Sequence, residues 1–376
     1  MPLSVGFLST YPPTQCGLAS FTASLRAQLL ADGHRSGVVR VVDRPEPLVG
    51  PEVVGHLAPR SAAAQVQAAA ALDQFDVAVV QHEFGIYGGA DGDEVLSVLD
   101  RLTVPAIVVL HTVLTAPTTH QRDVLESVAG SAHAVVTMTM TARTRLLEHY
   151  DVDAAKVVVI PHGAITPTEV GARLPRLGPP TLLTWGLLGP GKGIESVIDV
   201  LPDLRRLDPG LRYRIVGQTH PRVLERDGET YRTALTVRAA ARGVGDMVAF
   251  DANYLDVASL RSVVAQADVV VLPYESREQV TSGVLIEAVA AGKPVVATAF
   301  PHAVELLRDG AGLVVPHGDR RALAHALTRV LVEPGLAASI ADRSRRVTPE
   351  LRWSSVAARY RDLAATLVGA TSAAVA

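Results

Sequence analysis

The chain has 376 residues, 48% of them hydrophobic, and a formal net charge of -3. That length points to two domains with a cleft between them, and that charge argues against a nucleic-acid partner, which needs a broad basic face. Its one cysteine, Cys16, excludes an intrachain disulfide and a cysteine-rich zinc site, so a small-molecule partner is expected.

The opening "MPLSVGFLSTYPP" lacks a basic start, and its apolar run is too short for a secretory signal. It reads as a buried strand running into a turn. No run reaches the roughly 18 apolar residues of a membrane span, so the expected location is the cytoplasm; peripheral contact with a membrane surface stays open. Short Val/Ile-rich runs then alternate with longer stretches of helical period, the pattern of parallel sheets covered by helices on both faces. In the first half the spacing predicts strands at 3–8, 37–42, 77–81, 106–111, 134–137 and 157–160. Residues just beyond strand ends are where such sheets bind ligands. There, "PTQCGLASFTASL" puts Gly17 at a strand-to-helix junction, where a backbone amide can meet a phosphate or sugar. "QHEFGIYGGADGDE" puts His82 and Glu83 beyond the next strand on a glycine-bearing loop, and "VVLHTVLTAP" puts His111 at the following strand end. A single strand-end histidine is commonly a satisfied polar residue; two on adjacent strands share a cleft edge and point to the sugar or acceptor side.

After Gly163 the periodicity fades into "AITPTEVGARLPRLGPP", read as an interdomain linker. The same rhythm restarts with strands at 182–186, 213–216, 248–250, 269–272, 294–298 and 312–315. Two doubly wound Rossmann-like domains are therefore expected, over 1–170 and 171–352. A helix over 353–376 follows, with Trp353, Val356, Ala357, Tyr360, Leu363, Ala364 and Leu367 on one face.

The strongest local signal is "TWGLLGPGKGIES", a strand, a loop with Gly186, Gly189, Gly191 and Gly193, one lysine and then a helix. Glycines let backbone amides approach an anion, the helix start adds partial positive charge, and Lys192 adds a full one. The chain has only three lysines, Lys156, Lys192 and Lys293. Keeping one in a glycine loop suits a phosphate contact better than a surface turn. In "YESREQVTSGVLIEAVAAGKPVVAT", Thr281, Ser282 and Gly283 can open a helix toward a phosphate or sugar. Glu287 then lies one turn in, where a carboxylate can accept hydrogen bonds from a ribose; an ordinary capped helix with a solvated glutamate is the plainer alternative. The loop is neither a Walker loop nor a dinucleotide fingerprint. No nucleophile elbow occurs, and His82, His111 and His162 lack metal-pair spacing, so neither a hydrolase nor metal dependence is predicted.

Together these motifs resemble glycosyltransferase family 4, a retaining group with the GT-B fold, over almost the whole chain and most specifically over 181–315. The resemblance implies that Lys192 holds the donor diphosphate and that Glu287, the second of two glutamates separated by seven residues, holds the nucleotide ribose. It also implies that His111 contacts the donor sugar or its phosphate, that Gly17 approaches the diphosphate, and that the terminal helix packs back on the first domain. Two positions depart: Leu187 stands where the family has an arginine, and Gln279 where it has the first glutamate, with Glu275 and Glu278 nearby. "GLASFT", "QHEFGIYGG", "LHTVL", "IPHGA" and "GQTHP...GETYR" are similar to a bacterial mannosyltransferase-like subgroup, in which His220, Glu229 and Arg232 form a patch without an assigned role.

The implied function is hexosyl transfer from a nucleotide-diphosphate sugar to a glycan, lipid or small-molecule acceptor, with retention, no separate cofactor and domain closure assembling the site. His111, Lys192 and Gln279 are the catalytic candidates, and GDP-mannose is the first donor considered. A nucleotide-sugar 2-epimerase and a glycoside phosphorylase or sugar-binding protein of the same fold are the alternatives. Oligomeric state is open.

Overall fold

The computed structural model describes residues 2–165 and 178–375; the stretch read as a linker falls mostly outside them. The chain divides into two compact units, one of residues Met1–Gly163 with Trp353–Ala376 and one of Ala164–Arg352.

The first unit carries strands β1 (Ser4–Ser9), β2 (Arg35–Val41), β3 (Val53–Leu57), β4 (Val77–His82), β5 (Ala106–Leu110), β6 (Ala134–Thr137) and β7 (Val157–Val159). They form one sheet in the order β3-β2-β1-β4-β5-β6-β7, and every pairing is parallel. Central strands such as "AIVVL" of β5 are buried along their whole length, as expected where helices cover both faces. β3 has no counterpart among the predicted strands. Its sequence, "VVGHL", sits at the sheet edge with an interrupted burial pattern, so neither alternation nor a continuous apolar run marks it.

The closing helix, Trp353–Val375, belongs to this unit. Trp353, Val356, Ala357, Tyr360 and Ala364 are buried, and the helix packs against helix Gly17–Ala31. Phe21 of that helix meets the Trp353 ring edge-on at 5.1 Å between centroids. Among the described residues, no helix is long and apolar enough to cross a membrane.

The second unit carries β8 (Thr181–Trp185), β9 (Arg212–Val216), β10 (Val248–Asp251), β11 (Val269–Leu272), β12 (Val295–Thr298) and β13 (Leu313–Val315). Their order is β10-β9-β8-β11-β12-β13, again with parallel pairings. Alternate residues feed two hydrophobic layers. Leu182, Tyr213, Val269 and Val271 join one; Leu183, Trp185, Val270 and Leu272 join the other. That division follows from the two-residue period of a strand. Both sheets therefore share one topology, in which strand order reverses beside the first strand of the unit, between β1 and β4 and between β8 and β11. The crevice beyond the carboxyl ends of those strands is where such a sheet receives ligands.

Candidate functional site

In the second unit, the loops after β8 and β11 flank the switch point. Beneath them a buried hydroxyl chain ties three strands together. Tyr213 donates to Thr184 Oγ1 at 2.9 Å, and Thr184 Oγ1 donates to the Val271 carbonyl at 2.6 Å. The loop from Gly186 to Gly193 is shaped by backbone that only glycine tolerates. Gly193 has φ of 65° and caps helix Ile194–Arg205, and a Cβ there would lie 1.8 Å from the Pro273 carbonyl oxygen. The Glu275 N–H donates to the Gly191 carbonyl at 2.9 Å. The lysine loop and the loop after β11 are thus locked together.

Lys192 lies in this lock, its ammonium 4.5 Å from the centre of the Tyr274 ring. The other two lysines are occupied by carbonyls: Lys156 by Gly130 at 2.9 Å, Lys293 by Ala265 and Ala267. Lys192 has no oxygen partner among the described residues, and its charge is held only by a ring face, an interaction an anionic ligand readily outcompetes.

Helix Gly283–Ala290 begins beside the same loop. Ser282 caps it by accepting the Leu285 N–H at 3.3 Å, which leaves the amides of Gly283 and Val284 without an intrahelical acceptor. The Ser282 N–H donates to His302 Nδ1 at 2.8 Å, so the mouth is pinned from the helix after β12. Thr281 Oγ1 is enclosed there and unpartnered among the described residues. Gln279 is half-buried and donates from Nε2 to the Thr281 carbonyl at 3.2 Å. Glu287 is half-buried, with its carboxyl end turned inward: desolvation pushes it up to about 7, against the opposing pull of a hydrogen bond from Trp185, the last residue of β8.

A third loop, after β9, runs alongside. Leu188 N–H donates to the Gln218 carbonyl and His220 N–H to the Leu188 carbonyl, both at 2.8 Å. Gly217 makes this approach possible, because a Cβ there would lie 2.0 Å from the Gly186 carbonyl oxygen. The patch of His220, Glu229 and Arg232 now has a structural role. Glu229 accepts from Thr219 Oγ1 at 2.6 Å and from Arg232 Nε at 3.1 Å, while Arg232 Nη2 donates to the Gly217 carbonyl at 3.0 Å. These bonds brace the strip against the lysine loop. Burial, and after it the charges of Arg222 and Lys192, pull the His220 pKa below the ordinary value.

In the first unit, Gly17 starts helix Gly17–Ala31, capped by Cys16, whose sulfur accepts the Ala19 N–H at 3.4 Å. Gly17 is exposed, and a Cβ on it would meet nothing within 4 Å. The loop leading to it is held by buried Arg40 of β2, which donates to the Tyr11 carbonyl at 3.0 Å and Thr14 Oγ1 at 2.9 Å and pairs with Glu46. His111, just past β5, is half-buried. Its Nε2 lies 2.6 Å from Gln81 Oε1, and its ring meets Phe21 edge-on at 5.3 Å. Burial, with His162 and His82 nearby, holds its pKa down at about 3, so the ring is neutral at physiological pH. Glu83 accepts from Thr112 Oγ1 at 2.6 Å. His82 is a correction. As the last residue of a central strand it is 0% exposed, packed against Phe84 at 5.2 Å, with its pKa pushed down to about 4 by burial. An enclosed ring can position its neighbours; it does not present itself to an acceptor.

The description "Glycosyltransferase Family 4" matches residues 16–166, and "Glycosyl transferases group 1" matches residues 167–347. The two matches meet within three residues of the boundary between the units. The chain belongs to the GT-B glycosyltransferases. It is similar to the glycogen synthase of Mycobacterium tuberculosis (strain ATCC 25618 / H37Rv), with 31% identity over 228 residues covering 60% of this chain and 52% of that protein. It is also similar to the same organism's GDP-mannose-dependent alpha-(1-6)-phosphatidylinositol monomannoside mannosyltransferase, 28% identical over 258 residues covering 64% of each chain. The chain thus spans about half the length of the first of these relatives and under two thirds of the second. Among solved structures, sucrose-phosphate synthase from Thermosynechococcus elongatus shares the fold, with a TM-score of 0.75 at 19% identity over 98% of this chain and 100% of that one.

The structure brings Gly186, Lys192, Gln279, Thr281, Ser282, Gly283 and Glu287 to one sheet edge of the second unit. Gly17, Glu83 and His111 lie at the corresponding edge of the first. Sequence reasoning missed Arg40, Trp185 and His302. Only His302 had a usable signal, since "FPH" follows a predicted strand just as the histidine-bearing loops of the first half do.

Proposed function

We propose that the chain is a retaining hexosyltransferase, of the EC 2.4 class, which moves a hexose from a nucleotide-diphosphate sugar to a glycan, lipid or small-molecule acceptor. The observation that carries this reading is the single edge of the second unit that brings together an ammonium without an oxygen partner among the described residues, two helix-start amides without an intrahelical acceptor and a desolvated carboxyl. Lys192 and the amides of Gly283 and Val284 suit a diphosphate whose negative charge grows as the sugar departs. Glu287 suits a ribose diol: two hydroxyl donors replace the water that its carboxylate lacks. His111, neutral, suits a sugar hydroxyl.

Retention follows from the retaining character of family 4, and no separate cofactor is invoked. GDP-mannose is the first donor to test because the mannosyltransferase relative uses it by name. A cytoplasmic setting is part of the proposal, supported by the single cysteine, Cys16, which has no partner for an intrachain disulfide. Neither relative nor the solved structure is named as an epimerase or a phosphorylase, so those readings gain no support.

The test is a thermal-shift and calorimetric screen against GDP, UDP, ADP and their sugars, with Lys192→Ala and Glu287→Ala alongside. One nucleotide should stabilise the wild type and both substitutions should abolish the shift. Absence of any nucleotide binding would sink the donor assignment.

A further inference from the structure

The contact between Gln81 and His111 fixes more than the position of a ring. Gln81 is 0% exposed on β4, and its own carbonyl accepts the Tyr87 hydroxyl at 2.7 Å. His111 is held by its backbone N–H, which donates to the His82 carbonyl at 3.1 Å, and by the edge-on packing of Phe21. Between these two anchored residues the side chains meet at 2.6 Å, Oε1 to Nε2. Oε1 of Gln81 is turned toward the ring, and its own Nε2 is enclosed without a partner among the described residues. The amide oxygen carries no hydrogen, so in this orientation Nε2 of His111 is the protonated nitrogen. In a neutral ring the lone pair then stays on Nδ1.

The surroundings keep the ring neutral. The ionisable groups beside it are His82 from β4 and His162 from the segment after β7, both titrating well below their ordinary range because they are buried. Glu83, the residue after β4, is engaged by Thr112 Oγ1 and the Phe84 N–H.

We propose that Gln81 is a positioning residue that fixes His111 as the Nε2–H tautomer, so that the ring offers Nδ1 as an acceptor to a sugar hydroxyl and does not meet a phosphate as a cation. The nature of that ligand rests on the proposed function; the tautomer does not. An acceptor fixed in this way selects for a hydroxyl at one place on the sugar, because a donor lacking it leaves a partly buried lone pair unpaired.

The experiment uses the full chain labelled with ¹⁵N-histidine, without ligand, as wild type, Gln81→Glu and Gln81→Leu. Imidazole ¹⁵N shifts and two-bond couplings report which nitrogen of His111 is protonated. The wild type should show Nε2–H with a bare Nδ1. Gln81→Glu should keep that pattern and raise the titration midpoint of His111, and Gln81→Leu should give a tautomer mixture. Protonation at Nδ1 in the wild type overturns the proposal, as does an unchanged pattern in Gln81→Leu. Should Gln81→Leu fail to fold, the wild-type tautomer and the Gln81→Glu titration decide. Thermal shifts with GDP, UDP and ADP, governed by the second unit, should agree within about twofold across all three proteins. If no nucleotide shifts even the wild type, the donor reading fails while the tautomer result stands.

Discussion

Replacing Glu287 by glutamine tests the donor site through its proton. The carboxyl titrates at about 7 against an ordinary 4.5 because it is desolvated. Its folded-state pKa is raised, so the folded chain keeps this proton at pH values where the unfolded chain has released it. Stability from this group is therefore fully present below pH 4.5 and is lost as pH rises through 7. The gap corresponds to about 3 kcal/mol. A ribose diol that donates both its hydrogens to the two carboxyl oxygens is matched by the ionised form, so nucleotide binding in that mode releases the proton. If only the carboxylate binds, affinity for a nucleotide sugar rises about tenfold between pH 6 and pH 8, and about half a proton is released at pH 7. Nucleotide sugars suit this test because their diphosphate has no terminal group titrating there. Calorimetry in two buffers of different ionisation enthalpy measures the proton directly. Glu287→Gln should abolish both the pH slope and the proton release, while raising stability by about 3 kcal/mol at pH 8 and by under about 1 kcal/mol at pH 5. A wild-type affinity that is flat from pH 6 to 8, or a slope retained in Glu287→Gln, would refute the ribose assignment.

Lys192→Ala removes a charge-assisted contact of about 1.5–3 kcal/mol, so nucleotide Kd should rise about 10- to 150-fold; the melting temperature without ligand should barely move, since Lys192 makes no ion pair among the described residues. Gly193→Ala forces a side chain into a left-handed backbone position and against the Pro273 carbonyl. It should cost about 1–3 kcal/mol of stability and abolish the nucleotide-induced thermal shift, and a variant with wild-type binding would show that the loop is not held as described. In the first unit, His82 and His162 titrate at about 4 and His111 at about 3, all below the ordinary 6.5. These folded-state pKa values are depressed, so the unfolded chain takes up protons first, and stability present above pH 6.5 is lost as pH falls toward 4. Each unit carries one tryptophan, Trp353 in the first and Trp185 in the second. In Trp185→Phe, the thermal midpoint read from Trp353 fluorescence should fall steeply between pH 6.5 and 5, and a flat profile would contradict the burial of these rings.

Local chemistry made much of this protein legible in its sequence. Runs such as "VVVL" of β11 and "AIVVL" of β5 declare buried parallel strands, since nothing else places several β-branched residues consecutively between helical stretches. Glycines clustered around one lysine after a strand announced a loop built from backbone, and Gly186, Gly191 and Gly193 all adopt positive φ. The start of the helix bearing Glu287 could be read from a serine before an apolar run. β3 escaped because an edge strand is buried on only part of its surface and keeps no periodic pattern.

What the sequence could not determine is which of these residues meet. The Trp185 hydrogen bond that holds Glu287, the Gln81 oxygen that orients His111, and the Glu229–Arg232 brace beneath Gly217 each join residues on different elements. Gln81 and His111 are 30 positions apart, and Ser282 reaches His302 across 20. Such pairs carry no periodic or compositional trace, because their geometry exists only once neighbouring strands are in register. The state of each ionisable group follows the same rule. Composition counts a glutamate or a histidine as an ordinary titrating group, and only packing decides how much water remains around it, which is why Glu287 and His111 titrate far from what their sequence suggests.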